Sequence, residues 1–91
     1  MAHAEPTALA DVTALRAELD VVDAEIRTLL ERRRALSREV QRTRLSSGGT
    51  RTDFTREMRV IAPYTEAYGR QGTAIAMAVL EICRGASVPA P

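Results

Sequence analysis

Val12, Leu15, Leu19, Val22, Ile26, Leu29, Leu36 and Val40 recur at helical steps along the first half of the chain. At 3.6 residues per turn this spacing returns each apolar side chain to one stripe, and the intervening positions are mostly polar. It predicts a single long helix from about Leu9 to Arg44, roughly 50 Å in length at 1.5 Å per residue. Thr7 or Asp11 offers an N-cap, and Gly48-Gly49 stops whatever continues past Leu45. A second helix is expected from Asp53, a good N-cap, through Met58 and Ile61; Pro63 should kink or end it, and Gly69 closes it. A third is expected from Gly72-Thr73, with Ile75, Val79 and Ile82 on one face and Gly85 as its stop. Residues 1–8 read as a loose leader, 9–86 as one folded domain and 87–91, with Pro89 and Pro91, as a tail. No alternating strand pattern or repeat competes, so the expected class is all-α, with one long and two short helices.

The long stripe poses a packing problem. Two helices of roughly 12 to 16 residues cannot cover it in so small a domain, and the nearest source of a second long helix is another copy of the chain. An intertwined or side-by-side homodimer is therefore expected. A two-stranded coiled coil, serving as a non-catalytic helical dimerisation module, satisfies the same spacing.

Arginine interrupts the stripe in register. Arg33 and Arg44 are eleven residues apart, which at about 100° each comes within about 20° of three full turns, so both point the same way. Buried cations cost several kcal/mol each unless paired, so this face must meet anions or an aqueous pocket. Arg32 and Arg34 flank Arg33 as solvated surface charge. Arg16 lies some 25 Å up the helix and about 100° round it, and cannot join Arg33 and Arg44 within one straight helix. It is either a surface residue or, in an antiparallel dimer, a group completing the partner's site. Asp53, Arg56 and Glu57 place both charges at the start of the second helix, as a polar wall or as ordinary first-turn charge. Arg84 ends the third helix, where it also complements the helix dipole.

Composition narrows the chemistry. Thirteen basic residues, all arginine, oppose twelve acidic ones for a net charge of +1, too little for the broad field of a general nucleic-acid binder. A GC-rich genome produces the same preference for arginine over lysine, but a planar, permanently charged fork still suits carboxylates and phosphates. Cys83 as the single cysteine rules out an internal disulfide framework and a Cys-rich zinc site, and the single histidine, His3, near the start of the chain, argues against a His-based metal centre or a Ser-His-Asp triad. No apolar run reaches the roughly 20 residues that span a bilayer, and no signal-peptide pattern opens the chain, so the expected compartment is the cytosol.

Leu15-Arg16, Asp20, Asp23, Ile26, Leu29-Leu30-Glu31-Arg32-Arg33, Val40, Arg44 and Asp53 with Arg56-Glu57 together resemble an AroQ-type chorismate mutase, over residues 12–61 without a gap. The Ser46–Arg51 loop and short C-terminal helix are most similar to the small intracellular δ branch. The resemblance implies an all-helical, cytoplasmic homodimer of the shikimate pathway that rearranges chorismate to prephenate for aromatic amino acid biosynthesis, with no cofactor and no metal. By position it implies that Arg16 reaches a substrate carboxylate across the dimer and that Arg33 grips a carboxylate in its own chain. Arg44 then touches a carboxylate and the ether oxygen, Asp53 and Glu57 lie around the ring hydroxyl, and Arg56 adds a further cationic wall. Arg84 is the counterpart of a glutamine that the family commonly places late in the third helix, and Leu80 stands where a polar residue is often found.

A Claisen rearrangement needs no nucleophile or general base, only a bound compact conformer and positive charge at the breaking ether bond. The similar isochorismate-pyruvate lyases share the fold and the cation. Some members of the δ branch that, like this chain, depart from the usual C-terminal site residues are poor catalysts until a DAHP synthase docks and reorders the C-terminal segment. By that analogy such a synthase is an expected activating partner, and the free C-terminus and the Leu45–Thr52 loop are expected to be mobile.

Overall fold

The computed structural model describes residues 5–46, 48 and 53–84, with side chains from residue 11 onward. These residues contain two helices, α1 (Glu5–Ser46) and α2 (Phe54–Arg84), and no strand. The expected third helix is not a separate element. Leader positions 1–4, tail positions 87–91, Gly85 and residues 47 and 49–52 of the loop lie outside the described residues, and with them most of the segments expected to be mobile.

From Thr7 to Ser46 the sequence of α1 contains neither glycine nor proline, so nothing in it interrupts the backbone ladder. The helix begins at Glu5, earlier than the spacing indicated, because Pro6 in the first turn has a preset helical φ and lacks only an N–H that would be unpaired there anyway. Thr7 and Asp11, expected as caps, are therefore interior positions of α1. At the other end Gly48 takes a left-handed φ of 82° and donates its N–H to the Leu45 carbonyl at 3.1 Å.

Asp53 caps α2 as expected. Its Oδ1 accepts the Arg56 N–H at 3.1 Å, and its carbonyl accepts the Glu57 N–H at 3.0 Å. Pro63 neither ends nor splits α2, which carries through it. The break comes at Gly69, the expected close of the second helix, whose φ of 62° and ψ of −137° are open to glycine and strained for any residue with a side chain. Helical geometry resumes immediately, at Arg70 rather than Gly72, and for that reason the expected second and third helices are one element with two arms.

The arms fold back on each other. An unbroken helix would hold Glu57 and Arg84 about 40 Å apart, yet Arg84 Nη2 donates to Glu57 Oε2 at 2.8 Å. Near the bend the Thr65 and Thr73 hydroxyls are hydrogen-bonded at 2.5 Å, one donating to the other, and each lies 3.4 Å from a carbonyl of its own arm or the bend, Ile61 for Thr65 and Gly69 for Thr73. Gly72 packs against the backbone of Tyr64 so closely that a Cβ would overlap its carbonyl.

Two compact units divide the chain, residues 1–31 and 32–91. The second holds the core: Gly72, Ala76, Val79, Leu80 and Cys83 are buried, all on one face of the second arm of α2. In the first unit Val12, Leu15, Leu19, Val22, Ile26 and Leu29 are all exposed.

Because only a residue without a side chain tolerates the Tyr64 contact, Gly72→Ala should destabilise the protein by about 1–3 kcal/mol, the usual range for overpacking. Thermal unfolding followed by circular dichroism checks this, with Ala74→Gly on the exposed face of the same arm as the reference.

Candidate active site

A cleft of about 290 Å³ lies within the second unit. One wall is a face of α1. Arg33 and Arg44 mark its line, Leu36 and Val40 fall to one side, and Ser37 and Gln41 fall to the other. The first arm of α2 contributes Arg56, Glu57 and Val60, with Asp53 just ahead of it, and the second arm contributes Leu80 and Cys83. Five of the seven residues expected at the site, Arg33, Arg44, Asp53, Arg56 and Glu57, thus surround one space.

Local structure explains how each is held. Arg33 and Arg44 ride on the uninterrupted α1, half-buried, three turns apart. Arg33 Nη1 donates to Cys83 Sγ at 2.9 Å. Asp53 does double duty, because the oxygen that caps α2 belongs to a carboxylate on the cleft wall. Glu57, one turn into the helix, is held from behind by Arg84. The Glu57 side chain is only 19% exposed and that of Arg84 is 40% exposed.

The two remaining residues lie elsewhere. Arg84 is not among the lining residues and meets the cleft through Glu57. Arg16 is an exposed residue of α1 in the first unit, outside the lining of this cleft.

Sequence reasoning did not single out Ser37, Gln41, Val60 or Cys83. Ser37 and Gln41 were within reach, one and two turns from Arg33 on the same helix face. Cys83 shares a face with Ala76, Val79 and Leu80, but only the reversal at Gly69 brings that face to Arg33.

Three guanidinium groups and two carboxylates ring the cleft, a net positive lining with an apolar flank. It suits a small organic anion with an apolar part. Among the described residues no group of three or more His, Cys, Asp or Glu side chains is placed to hold a metal ion, and no helix is long and apolar enough to cross a membrane.

The model of the chorismate mutase type II family matches residues 15–84, a span that includes both cleft-forming helices. The chain belongs to that family. It is 40% identical over 78 residues to an intracellular chorismate mutase of Mycolicibacterium smegmatis, covering 86% of this chain and 75% of that protein. An intracellular chorismate mutase of Mycobacterium tuberculosis is 41% identical over 75 residues, 82% of this chain and 70% of the relative. Among solved structures, a non-covalent complex of DAHP synthase and chorismate mutase from Corynebacterium glutamicum, with a bound transition state analog, contains a chain of the same fold. It aligns with a TM-score of 0.81 and 38% identity, over 88% of this chain and 96% of that one. Every lining residue of the cleft falls inside the chorismate mutase match.

The cap and the cleft wall share one carboxylate, which makes Asp53 separable by isosteric replacement. Asp53→Ala should lose about 1 kcal/mol of stability, whereas Asp53→Asn, which keeps the capping oxygen, should hold its melting temperature within a degree or two. Denaturant unfolding of the two variants beside the parent protein measures the difference.

Proposed function

We propose that the cleft of this chorismate mutase works by holding a dianion between arginines and stabilising charge on its ether oxygen. As a member of the family the protein is an isomerase that converts chorismate to prephenate, a step of the shikimate pathway toward phenylalanine and tyrosine. One observation carries the mechanism: Arg33 and Arg44 line the same cleft wall, across from the Arg56–Glu57 pair.

In the reaction the C–O bond of the enolpyruvyl ether breaks as a C–C bond forms, and the ether oxygen becomes the keto oxygen of the product. Electrons move round a six-membered cycle, and negative charge grows on that oxygen in the transition state. Arg33 holds one carboxylate, and the partner copy's equivalent of Arg16 closes on the other. Together they favour the compact pseudo-diaxial conformer, in which the reacting carbons approach. Arg44 reaches a carboxylate and the ether oxygen. A preorganised cation there contributes roughly 3–4 kcal/mol to the barrier, about 10² to 10³ in rate. Glu57 and Asp53 lie around the ring hydroxyl, one of them accepting its O–H, Arg56 adds positive potential, and Arg84 orients Glu57. Leu36, Val40, Val60 and Leu80 form the apolar flank. No step draws on a cofactor.

The homodimer belongs to the same proposal. The exposed stripe of the first unit, Val12 to Leu29, supplies the apolar face for a second copy and carries Arg16 beside it. Given the intracellular relatives, the proposed compartment is the cytosol. The Corynebacterium glutamicum complex supports a DAHP synthase as a partner. Such a synthase is expected to raise kcat/KM by acting on the C-terminal segment.

Arg44→Ala should depress kcat by roughly 10² to 10³, while Arg32→Ala, off the cleft, should leave it within twofold. Chorismate disappearance and prephenate formation measure both. Incubating the wild-type protein with isochorismate as well should give no salicylate; salicylate formation would favour the lyase.

A site shared across a two-fold axis makes a second prediction. Arg16→Ala and Arg33→Ala proteins, each weak alone, should regain roughly a quarter of wild-type activity when mixed and re-annealed, because half the dimers are hybrids with one intact site. No recovery on mixing would place Arg16 outside the site.

A further inference from the structure

Among the groups on the cleft wall that the mechanism leaves unused is the thiol of Cys83. It is the chain's single cysteine, 7% exposed, and it accepts a hydrogen bond from Arg33 Nη1 at 2.9 Å. It stands on the buried face of the second arm, next to Val79 and Leu80, so its position is set by the best-packed part of the protein. Arg33 comes from the other helix.

An arginine side chain has rotamer entropy to lose before it can grip a carboxylate in one orientation. A fixed acceptor removes part of that cost in advance. The chemical nature of the acceptor matters too. A carboxylate would neutralise the guanidinium and compete with the substrate for its fork. A thiol is a weak, uncharged acceptor, which engages one N–H and leaves the positive charge and the remaining donors available.

We propose that Cys83 is a positioning residue that pre-orients Arg33 for the substrate carboxylate. The proposal rests on Arg33 as the carboxylate-holding group. Cys83 itself touches no reacting atom; it acts through Arg33, and its contribution is to binding rather than to the chemical step.

Full-length Cys83→Val and Cys83→Ser proteins, each with and without Arg33→Ala, test this by steady-state kinetics with chorismate and by thermal unfolding. Valine approximates the volume and removes the acceptor, whereas serine retains an acceptor. Cys83→Val should raise KM roughly three- to tenfold, the worth of one hydrogen bond, with kcat within twofold. Cys83→Ser should keep KM within twofold of wild type. With Arg33→Ala already present, Cys83→Val should raise KM no further. Should valine prove too bulky and lower the melting temperature, Cys83→Ala carries the same comparison.

Equal KM shifts for valine and serine would reduce Cys83 to a packing residue and overturn the inference. So would a valine effect that persists without Arg33. A silent Cys83→Val, alongside a large Arg33→Ala defect, would overturn it while leaving the role of Arg33 standing. An Arg33→Ala protein with unchanged KM would overturn both.

Discussion

Charge placed on an apolar helix face is the constraint from which the rest of the site follows. Arg33 and Arg44 occupy positions where the stripe of α1 calls for leucine or valine, and a half-buried guanidinium is costly unless something anionic or polar meets it. Within one chain the structure answers only in part. Arg33 finds the Cys83 sulfur, and the cleft brings two carboxylates against three arginines. The balance stays positive, which disposes the cleft to a doubly charged anion. A reaction whose demands are conformational and electrostatic matches that arrangement, because preorganised cations act on both the bound shape and the growing charge.

The second wall depends on the reversal of α2. Gly69 provides a backbone conformation that other residues adopt only under strain, and Gly72 allows the returning arm to approach the Tyr64 backbone. From there the threonine pair near the bend and the Glu57–Arg84 ion pair at the far end keep the arms in register. The ion pair is partly exposed and contributes little to stability by itself. Its structural consequence is larger, since it fixes the carboxylate that faces Arg33 and Arg44. A C-terminal arm that meets the site through Leu80, Cys83 and the Arg84–Glu57 pair is a natural point for control by a docked protein, in keeping with the proposed synthase partner.

Burial is concentrated in the second unit, on five residues of one helix face. In the first unit Val12, Leu15, Leu19, Val22, Ile26 and Leu29 are exposed along α1. Under the proposed dimer the two facts belong together. Each chain builds most of a site from residues 32–84 and offers its N-terminal stripe, with Arg16, to a second copy. Assembly and catalysis would then draw on the same helix.

Much of this was legible in the sequence because helical periodicity is a local property. The stripe gave the long helix, the arginine spacing gave a common face, and Asp53 gave a cap, since each depends on neighbours within a few turns. Five of the expected site residues gather at one cleft for the same reason: they sit at helix positions whose directions follow from residue number alone. What lay beyond reach was decided by contacts distant along the chain. Gly69 was legible as a stop, but not that Pro63 would leave the helix unbroken or that the arms would fold back on each other. Arg84 faces Glu57 and Cys83 faces Arg33 only after the chain has doubled back, a juxtaposition across 27 and 50 residues that no periodicity encodes. Sequence by itself determined which side chains share a helix face; tertiary structure alone decided which faces meet, because that choice depends on how closely two backbones can approach.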